Sequence, residues 1–429
     1  MDDGKCQGGS PCEYCIRTKK TCLPQVIPAA KAQFIISTPD EQALQVVAKV
    51  PVQVDTHLDT LYLDYFDLFL KRCQFTADFN NLGADLLPLI QTCLPLGQVT
   101  MAIGALEASR YATVKASHGR QSPQIAAFSS YGASTRALQG LLHSPDALHC
   151  EGVLWCTLLL GMFELMTEMS GDRWARHMLY GTARIIQASG ITAPSGQLVK
   201  TLFAAFRPLE AHRAILYGES TFLSQDTWIR CRRHPTAILP SPVDWIFDLV
   251  VEMSSFSKTF FDRVESIPET LRPQRPEIHV LAEEGQCFQH KLQSWRDQTT
   301  PLVDYSEPYC KLAIVNYHAL QLFLCMNYTY YTCWEDLDIP SMTSAQIEIR
   351  VNAVVALSSQ ILEHSNLPGV LLLFPLRMAG ANAAKSSQRD EVVRLLDRIS
   401  QKGFVVAERI KVDLRELWEY QQRVANSEI

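Results

Sequence analysis

The segment GVLWCTLLLGMFELM, residues 152–166, decides the fold class of this chain. Its most apolar run, 153–163, spans 11 residues before the charged Glu164. A helix that crosses a bilayer needs about 18 or more apolar residues. We therefore interpret the segment as a helix in the core of a soluble protein, and we expect no membrane partner.

The same helical periodicity extends in both directions from this segment. From about Leu58 onward, apolar residues recur at i, i+3, i+4 and i+7 in segments separated by Pro, Gly or Ser, which is typical of amphipathic helices. The pattern predicts an all-α fold, a large domain of about ten or more antiparallel helices. The predicted helices are roughly 58–73, 96–118, 124–143, 146–167, 172–190, 196–217, 243–262, 275–297, 307–331, 343–364 and 388–420.

Composition indicates a folded intracellular protein. The chain has 429 residues, 47% hydrophobic residues and a formal net charge of -6. Such a charge gives no overall attraction to a phosphate backbone, so any contact with nucleic acid must be local. The first 25 residues carry four cysteines and several charges where a secretory signal would be apolar.

The thirteen cysteines fall into two groups. Nine are scattered singly, and we expect them to be buried reduced thiols rather than disulfides. The other four form the pattern C-x5-C-x2-C-x6-C, and zinc prefers four such thiolates at the corners of a tetrahedron. The alternative is four reduced thiols in an N-terminal tail. So short a segment needs an ion to fold, which favours a zinc site. The proposed ligands are Cys6, Cys12, Cys15 and Cys22.

The sequence KCQGGSPCEYCIRTKKTC, residues 5–22, resembles the second half of the fungal binuclear zinc cluster, C-x2-C-x6-C-x5-12-C-x2-C-x6-8-C. In that family six thiolates hold two zinc ions, and a basic helix after the first C-x2-C enters the major groove. The first two cysteines have no match here, so the resemblance implies a single zinc held by four thiolates. Either a start codon placed downstream of the true one or a genuine loss would give this sequence.

The resemblance also implies a set of DNA-contact candidates. Lys5 alone matches the base-reading basic run of the family, and the second half-motif supplies residues of the kind that contact backbone phosphates. The candidates are Lys5, Arg17, Lys19 and Lys20. Asp2, Asp3 and Glu13 nearly cancel their charge, which weakens the expected affinity for DNA.

A second motif, WARHMLYGTARIIQASG at residues 174–190, resembles a helix of the fungal-specific transcription factor domain. The family pattern is W-x2-H-x3-G-A-x2-L-I with a terminal glycine, and the resemblance extends more loosely over about 58–420. We expect one helical face to contain Trp174, His177, Met178, Gly181, Ile185 and Ala188, with Gly181 allowing a neighbour to approach and Gly190 ending the helix. The resemblance implies a domain that contacts other proteins and has no catalytic residues.

Motifs of the common enzyme classes were not found, so we do not expect an enzyme. A helical enzyme such as a terpenoid synthase would need a D-D-x-x-D motif, and we expect Asp55, Asp59, Asp64 and Asp67 to form a solvated face instead. The basic segment IRCRRHP, residues 229–235, is interpreted as a solvated loop, with a partner-binding patch as the alternative.

Together these features predict three parts: a partial zinc cluster at 1–22, a linker at 23–57 and a helical regulatory domain at 58–429. The resemblance implies a nuclear regulator of RNA polymerase II genes, such as those of a metabolic pathway, whose partners are DNA and the transcription machinery or other regulators. Homodimers are common in the family, although the linker has no heptads. The alternative is a scaffold that keeps the helical body and does not bind DNA.

Overall fold

The described part of the chain is helical throughout. The computed structural model describes residues 56–111, 122–189, 196–225, 228, 241–302, 304 and 306–427. Within these ranges there are fifteen α-helices, short 3₁₀ turns and no β-strand, which confirms the predicted all-α class. The helices are α1 (Thr56–Arg72), α2 (Leu82–Thr92), α3 (Leu94–Ala108), α4 (Pro123–Leu141), α5 (Glu151–Thr167), α6 (Asp172–Arg176), α7 (Ala183–Ala188), α8 (Gln197–Tyr217), α9 (Pro242–Ser266), α10 (Pro276–Thr299), α11 (Pro308–Thr329), α12 (Ser344–His364), α13 (Leu373–Ala381), α14 (Ser386–Gln401) and α15 (Ala407–Ser427).

Helix α5 is enclosed on every side because it has no polar face. Each residue from Gly152 to Met166 is buried. Helices α2, α3, α4, α6 and α8 pack around it. The interpretation of this segment as a core helix is therefore confirmed.

Helix α8 joins this N-terminal group to the C-terminal helices. It packs against α5 on one side and against α9 and α13 on the other. Helix α13 is the apolar centre of the C-terminal half, where α11, α12, α14 and α15 pack against it. Aromatic side chains form hydrogen bonds between helices α9, α10 and α11. Trp295 Nε1 donates to the carbonyl of Pro242 at 3.0 Å, and the Tyr328 hydroxyl donates to the carbonyl of Leu281.

Two helices were missed from the sequence, and one predicted helix is in fact two. Helices α2 and α13 each contain a proline, Pro88 and Pro375, which argues against a helix at the level of sequence. Helix α13 is also buried along most of its length, so it shows little amphipathic period. The predicted helix 388–420 ends at Gln401 and resumes at Ala407. Gly403 lies between them with φ of 112°, a conformation that side-chain-bearing residues rarely adopt.

The scattered cysteines are free thiols, although not all are buried. Five of the eight in the described residues are buried, Cys150 and Cys310 are half-buried, and Cys287 is exposed. Cys287 corrects the expectation of uniform burial, because it lies on the solvent side of α10.

An ion pair links the start of the helical body to its end. Arg72 at the end of α1 forms two bonds with the buried Glu107 of α3, Nε to Oε1 at 2.6 Å and Nη2 to Oε2 at 2.5 Å. The same guanidinium donates through Nη1 to the carbonyl of Lys402, which follows α14. The arginine thus connects α1, α3 and the turn before α15. Among the described residues, no helix is both long enough and apolar enough to span a membrane.

Helices α1 and α3 approach each other most closely at Gly104. A Cβ atom there would stand 1.9 Å from the backbone oxygen of Tyr62. We expect Gly104→Ala to lower the free energy of unfolding by about 1–3 kcal/mol, because the two helices must separate to admit the methyl group. Urea denaturation followed by circular dichroism measures the change.

Gly140→Ala is the matched control, since Gly140 lies in α4 with no atom within 4 Å of its Cβ position. There the higher helix propensity of alanine should stabilise the protein by up to about 1 kcal/mol. Equal effects of the two substitutions would contradict the close packing of α1 on α3.

Candidate functional site

The zinc and DNA residues predicted from the sequence lie outside the described residues. They are Cys6, Cys12, Cys15, Cys22, Lys5, Arg17, Lys19 and Lys20. The segment 229–235 also lies outside them. The site that can be built from side-chain geometry is therefore the one around the 174–190 motif.

The motif helix is interrupted by a π-helical turn. Helix α6 continues directly into the π turn His177–Thr182, and this runs into α7. A π turn has wider spacing than an α-helix, so the buried face shifts along the sequence after it. Thr182 is fully buried, whereas Ala188 is exposed, which corrects the predicted face at its C-terminal end.

The close approach expected at Gly181 occurs elsewhere. Around the Cβ position of Gly181, the nearest atoms belong to His177 of the same turn, at 3.9 Å. The contact with a neighbouring helix is made at Gly161 of α5, whose Cβ position is 3.4 Å from His177 Cδ2 and 3.6 Å from Trp174 Cδ1. Trp174 is 4% exposed, as predicted. Gly190, the expected helix end, lies outside the described residues.

Hydrogen bonds join the π turn to α5, and a further hydrogen bond joins α5 to α4. His177 Nε2 donates to the carbonyl of Thr157 at 2.8 Å, and the Thr182 hydroxyl points to the same carbonyl at 3.4 Å. His177 Nδ1 lies 3.7 Å from Glu164 Oε1. That carboxyl oxygen accepts a hydrogen bond of 2.6 Å from the Tyr131 hydroxyl of α4. We call Tyr131, Thr157, Glu164, His177 and Thr182 the π-turn cluster.

Burial controls the electrostatics of this cluster. It raises the pKa of the Glu164 carboxyl above its ordinary value of 4.5, and the nearby His177 and Tyr131 only partly offset the increase. Glu164 Oε2 has no hydrogen-bond partner among the described residues. Burial also raises the pKa of the Tyr131 hydroxyl, and the bond to Glu164 raises it further. Compared with an exposed carboxyl, Glu164 in this cluster is therefore shifted toward its protonated form.

The π-turn cluster fixes the position of the motif helix. The ring of Tyr131 stacks on Phe163 with centroids 4.7 Å apart, which covers one side of the cluster. Its polar groups bond to one another and to the backbone of α5, so their chemistry is structural. Glu164 was not recognised as a functional residue from the sequence. The sequence does contain a feature that could have identified it: in FELM, residues 163–166, a single acidic residue has apolar residues on both sides.

A second set of buried polar side chains lies on α8, and each of them has a partner within the protein. Arg213 forms two bonds of 2.8 Å with Glu210. Arg207 reaches across to Asp244 of α9 at 3.0 Å. His212 bonds to Asn316 of α11 at 2.8 Å, and burial lowers the pKa of His212 to about 4, so this ring is neutral. The Arg207 and His212 contacts fix α8 against α9 and α11, whereas the Arg213–Glu210 pair lies within α8.

An open cleft of about 410 Å³ lies where α2, α5 and α8 begin. Its charged lining residues are Asp85 and Glu151, so no basic side chain in the lining could pair with an anionic ligand. Of the aspartates considered from the sequence, Asp59 and Asp64 are exposed on α1, and Asp67 pairs with Lys71 at 2.6 Å. Across the described ranges, His, Cys, Asp and Glu form no group of three that could hold a metal ion.

Truncation of Trp174 tests the packing of the motif helix. We expect Trp174→Ala to lower the free energy of unfolding by about 3–5 kcal/mol, because it leaves a cavity against α5. Tyr180→Ala is the control, since Tyr180 lies in the same π turn and is 67% exposed. A wild-type melting temperature for Trp174→Ala would show that the ring is not in the core.

The pH dependence of stability tests the state of Glu164. The folded chain binds this proton more tightly than the unfolded chain, so the carboxyl lowers stability progressively as pH rises from 4.5 through the raised folded pKa. Glu164→Gln keeps an acceptor for Tyr131 and stays neutral. We expect it to have a higher free energy of unfolding than the wild type at pH 7.5, and an equal one near pH 4.5.

The control is Glu419→Gln, which removes the same charge from an exposed position on α15. It should follow the wild-type curve at both pH values in urea denaturation. A Glu164→Gln variant that is less stable at pH 7.5 would mean that a charged Glu164 is stabilising.

Comparison with protein families gives the helical body its identity. Residues 61–427 match the family model described as the fungal specific transcription factor domain, and the match does not reach the cysteine-rich segment. No curated protein and no solved structure matches the chain at the significance required. The matched region includes the π-turn cluster and all but the first turn of the helical body. The chain therefore belongs to the fungal specific transcription factor domain family.

Proposed function

We propose that this protein is a nuclear transcription regulator of the binuclear zinc cluster type, acting on RNA polymerase II genes. The observation that carries the proposal is the family match over 61–427 together with four closely spaced cysteines on the N-terminal side of it. The helical body gives the regulator its folded platform for other regulators or the transcription machinery. The N-terminal segment supplies the contact with DNA.

The zinc site proposed is a single ion held by four thiolates. Cys6, Cys12, Cys15 and Cys22 occur within 17 residues, a stretch too short to bury a core. The described helical residues offer no competing group of three metal-ligating side chains. Zinc that is lost when one of these cysteines is substituted would therefore report on the N-terminal segment.

The proposed DNA contact is local and electrostatic. Lys5, Arg17, Lys19 and Lys20 are the basic residues of the segment, while the whole chain carries a net charge of -6. Contacts to phosphates position a protein on the duplex, whereas sequence is read at base edges. Lys5 alone lies in the position of the base-reading run. We therefore expect DNA binding that depends clearly on salt but selects weakly among sequences. A scaffold that does not bind DNA is the second candidate, and the net negative charge of the chain favours it.

Zinc stoichiometry tests the metal site. We expect one zinc per chain by elemental analysis of the purified full-length protein, and loss of that zinc in Cys12→Ser and Cys15→Ser with helicity unchanged. Cys287→Ser is the control, because it removes an exposed thiol of the helical body. Zinc that persists in both N-terminal variants would place the metal elsewhere, and zinc absent from the wild type would remove the proposed cofactor.

Titration with duplex DNA at two salt concentrations separates the two candidate functions. Each phosphate contact contributes a slope of about -0.9 to log K against log salt. We expect Arg17→Ala to weaken binding evenly across sequences and to reduce the slope by about one contact. No binding at low salt by the zinc-loaded protein would favour the scaffold over the DNA-binding regulator.

A further inference from the structure

Two thiols meet where α3 and α5 begin. Cys93 directly precedes α3, and Cys150 directly precedes α5. The Cβ position of Gly152 is 2.9 Å from the sulfur of Cys93 and 3.7 Å from the sulfur of Cys150. Both sulfurs therefore face the same small space, and the absence of a side chain at Gly152 leaves that space open to them.

The backbone at both cysteines suits a cross-link. Each has an extended conformation, with φ and ψ of -109° and 98° at Cys93 and of -81° and 114° at Cys150. Both backbones are anchored, since the carbonyl of Cys93 accepts from the amide of Gly97 at 3.0 Å and that of Cys150 accepts from the amide of Val153 at 3.0 Å. The closeness of the two sulfurs to the one Gly152 position is the observation that favours a disulfide between them.

The two thiols differ in exposure. Cys93 is 7% exposed, and burial raises the pKa of its thiol, with a smaller opposing effect from the Leu96 amide. The proximity of Cys150 raises that pKa further. Cys150 is half-buried, and its neighbour Glu151 lines the open cleft. Cys150 is the more exposed of the two thiols, so a small solute reaches it more readily than Cys93.

We propose that Cys150 and Cys93 form a peroxide-oxidised dithiol site, in which Cys150 is the attacking thiol and Cys93 the resolving thiol. The sulfur of Cys150, as a thiolate, attacks one oxygen of a hydroperoxide. The O–O bond breaks, Cys150 becomes a sulfenic acid, and the leaving oxygen takes a proton to give water or an alcohol.

The second step forms the cross-link. The sulfur of Cys93 attacks the sulfenic sulfur of Cys150, the S–O bond breaks, and a second water leaves with the proton of the Cys93 thiol. Two thiols lose two electrons in total, and one hydroperoxide accepts them. The product ties the start of α3 to the start of α5, the enclosed helix of the fold.

Peptide mapping of the full-length, zinc-loaded protein tests the site. The reduced protein is titrated with hydrogen peroxide, its remaining thiols are blocked, and it is digested with trypsin without reductant. Cleavage after the flanking arginines places Cys93 in peptide 73–110 and Cys150 in peptide 137–173. We expect these two peptides to appear linked, with fragmentation assigning the bond to Cys93 and Cys150 rather than to Cys73 or Cys156.

Three variants assign the roles. In Cys93→Ser we expect Cys150 to accumulate as a sulfenic acid that dimedone traps. In Cys150→Ser we expect no link and a reduced Cys93. Cys287→Ser, which removes an exposed thiol of α10, should form the link at the wild-type rate.

A comparison within the wild-type protein removes any dependence on how the variants fold. Linkage of Cys150 to Cys93 should be lost in urea, where the two cysteines separate. The linked protein should also melt at a higher temperature than the reduced protein. Equal linkage in the native and the urea-unfolded protein, or oxidation of Cys150 without linkage to Cys93, would overturn the proposal.

Discussion

The complete burial of α5 is the constraint on which the rest of the fold depends. From Gly152 to Met166 the helix presents no side to solvent, so other helices must cover its whole circumference. Burying one large aliphatic or aromatic side chain contributes about 1.5–3 kcal/mol, and this helix contains many of them. Helices α2, α3, α4, α6 and α8 provide the cover, and α8 in turn carries the C-terminal helices. The apolar core thus determines which helices lie in the layer around α5.

Buried polar groups determine how those helices are aligned. The Arg72–Glu107 pair, the Arg207–Asp244 pair and the π-turn cluster each join elements far apart in the sequence or fix a turn against a neighbour. A buried ion pair adds little net stability compared with apolar packing, yet breaking one leaves an uncompensated charge and is costly. Such contacts therefore favour one arrangement of helices over slipped alternatives.

The two ends of α5 carry different chemistry. Near its C-terminal end, Glu164 holds the π turn of the family motif through His177, and at its N-terminal end Cys150 faces Cys93. The polar groups of the described helical body serve its own packing, which agrees with a family defined by regulation of transcription. The metal binding and DNA contact proposed for this chain both fall on the N-terminal cysteine-rich segment.

The sequence by itself determined the all-α class, the enclosed helix at 152–166 and the burial of Trp174, because helical periodicity and long apolar runs are local signals. The family could also be recognised, since the 174–190 motif is contiguous. Tertiary structure alone decided the π turn, the pairing of Glu164 with His177 and Tyr131, and the meeting of Cys93 with Cys150. These contacts join residues up to several helices apart, and no local pattern specifies which helices become neighbours. The helices at Pro88 and Pro375 were missed for the same reason, because packing around them outweighs the local preference of proline.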